Sequence, residues 1–242
     1  QLCAAGHEEH WDIIERVVRN QLIEQQITDA SFIPLSKETS SRTFESYPIS
    51  GDAVLGGFGG WCGVNDFIGN NALSRRLMHC CGPAGVKAIY LAWHNALKWE
   101  NGTLRINLLF SRRSKYADVI NLDPLEGRIE VKAYQDCKME IRLPDWVDKD
   151  SVRLQINARI RECHWHGTRL IVGGVSESQQ VIVTYPLRET VISENVGSHV
   201  YETRWRGDTV ISISPPGKYV PLYQRDRLIK AGRKIVLPEY VP

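Results

Sequence analysis

LEGRIEVKAYQDCKMEIRLPD, residues 125–145, alternates apolar and polar side chains in two successive runs. Ile129, Val131 and Ala133 fall on one side of the first run, with Arg128, Glu130 and Lys132 on the other, and Met139, Ile141 and Leu143 repeat the pattern. A period of two is what a strand with one buried face requires. Leu125-Glu126-Gly127 and Pro144-Asp145 supply the turns that bound the pair. Working outward, Leu104, Ile106 and Leu108 alternate before this stretch, and Val152, Leu154 and Ile156, then Val181, Val183 and Tyr185, alternate after it. Gly173-Gly174 and Arg206-Gly207-Asp208 mark further turns. Short strands at this spacing predict an antiparallel β-sandwich region.

Before about residue 100 the period changes. Trp11, Ile14, Val18 and Leu22 share one stripe of a predicted helix over 5–27. Val86, Ile89, Tyr90, Trp93 and Leu97 recur at three- and four-residue steps over 83–98. Between the helices, from Pro34 to Leu77, runs a stretch rich in glycine with Phe58, Trp61 and Phe67. A loop this long inside a compact domain is functional or disordered, and its aromatics favour an ordered, functional one. The predicted organisation is a helical part, 1–99, and a β part, 100–242.

The chain has 242 residues and a formal charge of +2, from 30 basic and 28 acidic side chains, with no basic block. Nucleic acid and anionic membrane surfaces are therefore not suggested as partners. No apolar run has the length to span a bilayer, and no signal peptide opens the sequence. The chain begins at Gln1 and enters a helical pattern at once, so it reads as cut at its start, and an export signal lost with preceding residues leaves the compartment open. Six irregularly spaced cysteines, 3, 62, 80, 81, 137 and 163, favour reduced thiols over a disulfide scaffold and, with them, a cytoplasmic setting. Asn101-Gly102-Thr103 matches a glycosylation sequon, but Asn-Gly between a helix and a strand is first of all a turn.

His79-Cys80-Cys81-Gly82-Pro83-Ala84-Gly85 carries the chemistry. Consecutive Cα atoms lie about 3.8 Å apart, below the usual disulfide range, so two free thiols are expected. Their place at a helix N-terminus favours thiolate, the form that attacks electrophiles and binds metal. Two small buried apolar side chains are the competing reading. Soft sulfur suits zinc, and a closed site takes about four ligands. Cys62 lies in the glycine-rich loop, where it can fold back, whereas His94 is about 20 Å along the helix. In the same loop Trp61, Asn65, Asp66, Asn70 and Asn71 offer a flat ring and bidentate polar groups suited to sugar hydroxyls, or else a set of Asx turns. No nucleophile-elbow, Walker, dinucleotide-binding or HExxH motif occurs.

The succession WDIIERVVRNQLIEQQITD, GGFGGWCGVNDFIGN, CCGPAGVKAIYLAWHN, LRINLLFSRRSKYADV, LEGRIEVKAYQDCKMEIRLPDWV and PPGKYVPLYQRD resembles glycoside hydrolase family 127, the β-L-arabinofuranosidase-like proteins, over nearly the entire chain. The Cys-Cys pair before a helix and Arg142-Leu143-Pro144-Asp145-Trp146 are its most specific pieces. The resemblance implies a multidomain α and β protein, part of an (α/α)6 barrel followed by an antiparallel β-sandwich region. It implies that Cys80 is both nucleophile and zinc ligand and that Cys81 is a zinc ligand. The family's remaining ligands, a Glu and a Cys two residues apart, and its acid/base Glu precede the Trp-Asp-x-x-Glu segment. Cys3 stands only eight residues before Trp11, so Leu2-Cys3-Ala4-Ala5-Gly6 reads as the end of that helix, with those motifs upstream of Gln1. The expectation is the C-terminal portion of a retaining, zinc-dependent glycosidase acting on L-arabinofuranosyl-type glycans, inactive by itself. An incomplete toroid would leave Trp11, Ile14, Val18 or their neighbours exposed, or covered by another chain such as a second copy. A non-catalytic carbohydrate-binding or structural protein of the same fold is the alternative, and a redox or zinc-storage module a third.

Overall fold

The computed structural model describes residues 2–31, 55–60, 62–68 and 80–225. After 3-10 turns at Cys3–Ala5 and Glu8–His10, helix α1 spans Trp11–Val17 and widens into a π-helical turn over Val18–Leu22. Helix α2 spans Cys81–Ala96. It passes into a strand without a loop, because Asn107 closes the junction: its backbone N–H donates to the Ala96 carbonyl at 2.8 Å and its side chain to the Asn95 carbonyl at 2.9 Å.

Fourteen strands follow among the described residues. The first six are β1 Leu97–Glu100, β2 Thr103–Ile106, β3 Arg112–Arg113, β4 Ala117–Asn121, β5 Arg128–Ala133 and β6 Cys137–Arg142. Next come β7 Arg153–Ile156, β8 Arg159–Arg161, β9 His164–His166, β10 Arg169–Val175 and β11 Gln180–Thr184. The last three are β12 Glu189–Val196, β13 His199–Arg206 and β14 Thr209–Ser214. One sheet runs β1-β2-β6-β10-β9, a second β3-β4-β5-β11-β7-β8 and a third β12-β13-β14.

The alternation in the sequence reports burial faithfully. Leu104, Ile106, Met139, Ile141 and Leu170 of the first sheet meet Val119, Ile129, Val131, Leu154, Val181 and Val183 of the second in one core. Pairing is antiparallel except between β2 and β6, which run parallel with Leu104 opposite Met139 and Ile106 opposite Ile141. The chain leaves the first sheet after β2, builds β3, β4 and β5 in the second, and returns in its original direction. A crossover of this kind produces a parallel pair.

The stripe Trp11, Ile14, Val18 and Leu22 packs with Ala92, Ala96 and Leu108 into a second, smaller cluster. Helix α2 departs from the expected face. Val86 and Tyr90 are 58% and 55% exposed and Trp93 is exposed too, while Gly85, Ala92 and Ala96 turn inward. The reason is close approach: a Cβ on Gly85 would stand 2.3 Å from the Phe58 ring, so the segment around Phe58 seats directly on the helix backbone. On α1 and its continuation the exposed apolar side chains are Ile13, Val17 and Ile23, neighbours of the buried stripe. No helix among the described residues is long and apolar enough to cross a membrane.

Candidate functional site

Cys80 caps α2 and Cys81 is its first residue. Both are free thiols, Cys80 exposed and Cys81 half-buried, with the sulfurs 3.9 Å apart. Burial, and after it the hydrogen bond and charge of the Cys80 sulfur, push the Cys81 thiol above its ordinary value. The helix N-terminus therefore does not by itself hold Cys81 as thiolate, against the expectation from sequence: burial disfavours the charged form first, and the neighbouring sulfur adds to that.

The donors fit part of a zinc site. In a tetrahedron with Zn–S bonds of about 2.3 Å the sulfurs stand about 3.8 Å apart, so this pair has the spacing of two corners. Among the described residues no three His, Cys, Asp or Glu side chains converge as a metal-binding group. Cys62 packs against Gly59 and Phe67 at the edge of this region. Burial pushes its thiol up to about 11, with a smaller contribution from Cys81, which places the two within electrostatic reach. His94 lies on the exposed face of α2, stacked on Tyr90 at 5.7 Å, away from the pair as its position along the helix dictates.

Of the sugar-binding set read from sequence, Trp61 and Asn70, with Asn71, lie outside the described residues, as does His79. Asn65 and Asp66 are described, and both face another stretch of the chain. Asn65 donates to the Pro215 carbonyl at 2.7 Å. Asp66 is buried and accepts from the backbone N–H groups of Ile68, Tyr219 and Val220 at 2.9, 2.6 and 3.2 Å. Gly217 makes the approach possible, since a Cβ there would come within 2.4 Å of the Asn65 carbonyl. Residues 65–68 of the glycine-rich loop and the PPGKYVPLY stretch are thus two halves of one docked unit.

That unit includes residues the sequence reading left out. Tyr223, at φ +57°, donates its backbone N–H to the Glu24 carboxylate, and Arg225 donates to the same carboxylate from Nε at 2.9 Å and from Nη2. Cys62 is among the groups that raise the Tyr223 hydroxyl, so this cluster borders the third cysteine. The only sequence signal was the PLYQRD stretch itself, whose partner Glu24 is about 200 positions away.

No family model matches the chain and no curated protein matches it. Solved structures do. A GH127 β-L-arabinofuranosidase from Geobacillus stearothermophilus T6 superposes with a TM-score of 0.53 at 13% identity, over 84% of this chain and 32% of that one. The fold is GH127-like. A glycoside hydrolase matches at 0.48 and 13% identity, over 84% of this chain and 34% of its own, and a GH127 β-arabinofuranosidase at 0.39 and 16%, over 55% and 26%. The chain spans about a third of the length of the Geobacillus enzyme, and its β-rich part corresponds to the β region of that fold.

Proposed function

We propose that this chain is part of a retaining glycoside hydrolase acting on L-arabinofuranosyl or related glycans, with Cys80 as nucleophile and Cys81 as its partner in holding zinc. The observation that carries the reading is the Cys80–Cys81 pair, sulfurs 3.9 Å apart, at the N-terminus of α2 in a GH127-like fold.

The Cys80 sulfur attacks the anomeric carbon of the bound sugar, and the bond from that carbon to the glycosidic oxygen breaks. The leaving oxygen takes a proton from a general acid outside the described residues. Water then attacks the same carbon and gives its proton to the conjugate base of that acid, the C–S bond breaks, and the thiolate is restored with two inversions and net retention. Zinc, when bound by Cys80 and Cys81 with ligands from outside the described residues, supplies the positive charge that keeps sulfur ionised at neutral pH. The exposed faces carrying Ile13, Val17, Val86 and Tyr90 fit burial under further helices of an (α/α)6 barrel.

Turnover and zinc content of the full-length protein test this together. Cys80→Ser is expected to abolish hydrolysis of an arabinofuranosyl substrate. Cys81→Ser is expected to lower zinc content, with partial recovery of rate on added zinc. A wild-type protein that binds the glycan without hydrolysing it would replace the enzyme by a carbohydrate-binding protein of the same fold.

A further inference from the structure

At one margin of the sandwich the two sheets part around a cleft of about 430 Å³, lined by Leu154, Ile156, Arg161, His164, Val172 and Gln179 among others. None of the residues around the cysteine pair lines it. Its floor is apolar: Leu154 and Val172 belong to the main core, and Ile156 packs against it. One wall is the bulge in β10, where Gly173 and Gly174 stand out of register with β6, between Val172 opposite Met139 and Val175 opposite Cys137. An added Cβ at either glycine would meet nothing within 4 Å, so bare backbone faces the opening. A bulge with glycine in a strand interior is a place where a ligand can approach the main chain.

The polar groups of the cleft are available. Arg161, Glu162 and His164 line it, and no side chain among the described residues pairs with them. Gln179, which also lines the cleft, uses its Oε1 to accept from the Ser176 N–H, and that bond leaves its amide N–H₂ available. One guanidinium and one carboxylate balance, beside an imidazole and an amide. That set matches an uncharged ligand with many hydroxyls better than an anion or a cation, because an ion would meet a like charge at the rim. The Arg161 guanidinium and the Glu162 carboxylate each have the geometry to bind two adjacent hydroxyls through paired hydrogen bonds, and Leu154 and Val172 offer an apolar floor for a C–H face.

We propose that this cleft is a saccharide-binding site for one or two neutral sugar rings, separate from the Cys80–Cys81 site; the choice of saccharide among neutral ligands rests on the glycosidase reading. An accessory site of this kind holds a glycan to the protein while another part of the chain reacts.

Titration of the ¹⁵N-labelled protein with an L-arabinofuranosyl disaccharide, and separately with inorganic phosphate, tests it. The disaccharide is expected to shift the amides of Gly173, Gly174 and Gln179 saturably, and phosphate to leave them in place. Gly173→Leu fills open space at a position without positive φ, so it is expected to weaken the disaccharide at least tenfold with an unchanged urea midpoint; Arg161→Ala with Gln179→Ala gives the same loss without filling the cleft. Absent shifts at about 10 mM disaccharide, a Kd that corresponds to less than about 3 kcal/mol of binding, would overturn the proposal, as would shifts by phosphate alone or full binding by both variants. Cys80→Ser separates the two readings: lost turnover with intact cleft shifts supports both. Intact turnover in Cys80→Ser with cleft shifts present removes only the cysteine mechanism, and wild-type turnover without cleft shifts removes only the cleft.

Discussion

Arg142, the last residue of β6, closes on Glu15 of α1, and both are out of solvent, at 1% and 0% exposure. The same guanidinium reaches Asp12 through Nη1 and donates from Nε to the Asn107 carbonyl. Glu15 also accepts from Arg19 at 2.8 Å and from the Leu109 N–H at 3.1 Å. The Trp-Asp-x-x-Glu stretch and the Arg-Leu-Pro-Asp-Trp stretch are therefore the two sides of one buried ion cluster that fixes the helical part to the sandwich.

Removing Glu15 takes the carboxylate from Arg19 and leaves the buried Arg142 with the Asp12 carboxylate alone. Glu15→Ala is expected to destabilise by about 3–5 kcal/mol, and Glu15→Leu combined with Arg142→Met by much less than the sum of the two single changes. Urea midpoints of the three variants check this; additive losses would mean that the two side chains do not act on each other.

A carboxylate near this cluster has the opposite titration behaviour. Burial, ahead of any charge, pushes Asp123 up to about 6, while the Arg142 and Arg19 guanidiniums hold buried Glu15 below its ordinary range. Asp123 binds its proton more tightly folded than unfolded, so its share of stability is fully present below about pH 4 and is lost as pH rises to about 6. Glu15 acts the other way, and its share is lost as pH falls through its depressed folded value. Asp123→Asn is expected to flatten the pH dependence between pH 4 and 6 and to raise stability at pH 7 by on the order of 1–3 kcal/mol. Unfolding curves across that window would reveal the opposite slope if Asp123 were ionised and paired.

Gly85 is the point where the Phe58 segment meets α2. Gly85→Ala places a methyl group inside the Phe58 ring envelope and is expected to destabilise by about 1–3 kcal/mol. Limited proteolysis should show faster cleavage near residues 55–60, and Phe58→Ala should relieve the clash. Unchanged cleavage would show that the segment does not depend on this contact.

Asp66 holds the Ile68 N–H of its own loop and, across the docked loops, those of Tyr219 and Val220. Asp66→Ala is expected to loosen residues 215–223 and to cost about 2–4 kcal/mol, because charge-assisted bonds are the stronger kind. Amide exchange at Tyr219 and Val220 reads the effect directly.

The strands were legible because the period-two pattern of Ile129, Val131, Met139 and Ile141 requires a strand with one buried face, here the face that the two sheets share. Register and the parallel β2–β6 pair were not, since both depend on where the chain travels between strands. The α2 face was misread because large apolar residues usually turn inward, whereas the close seat of Phe58 on Gly85 selects the small-residue face here. Cys80 and Cys81 stood out by adjacency alone. Glu24, Tyr223 and Arg225 did not, because nothing local links positions about 200 residues apart.

The central claim is that Cys80 reacts at the anomeric carbon. Mass spectrometry of the full-length protein after treatment with an electrophilic L-arabinofuranosyl analogue measures this most directly. One label per chain, mapped to the peptide carrying Cys80 and lost in Cys80→Ser while Cys62 and Cys81 stay unmodified, is the predicted result. A label on a carboxylate, or one retained in Cys80→Ser, would contradict the claim and return the cysteine pair to a structural role.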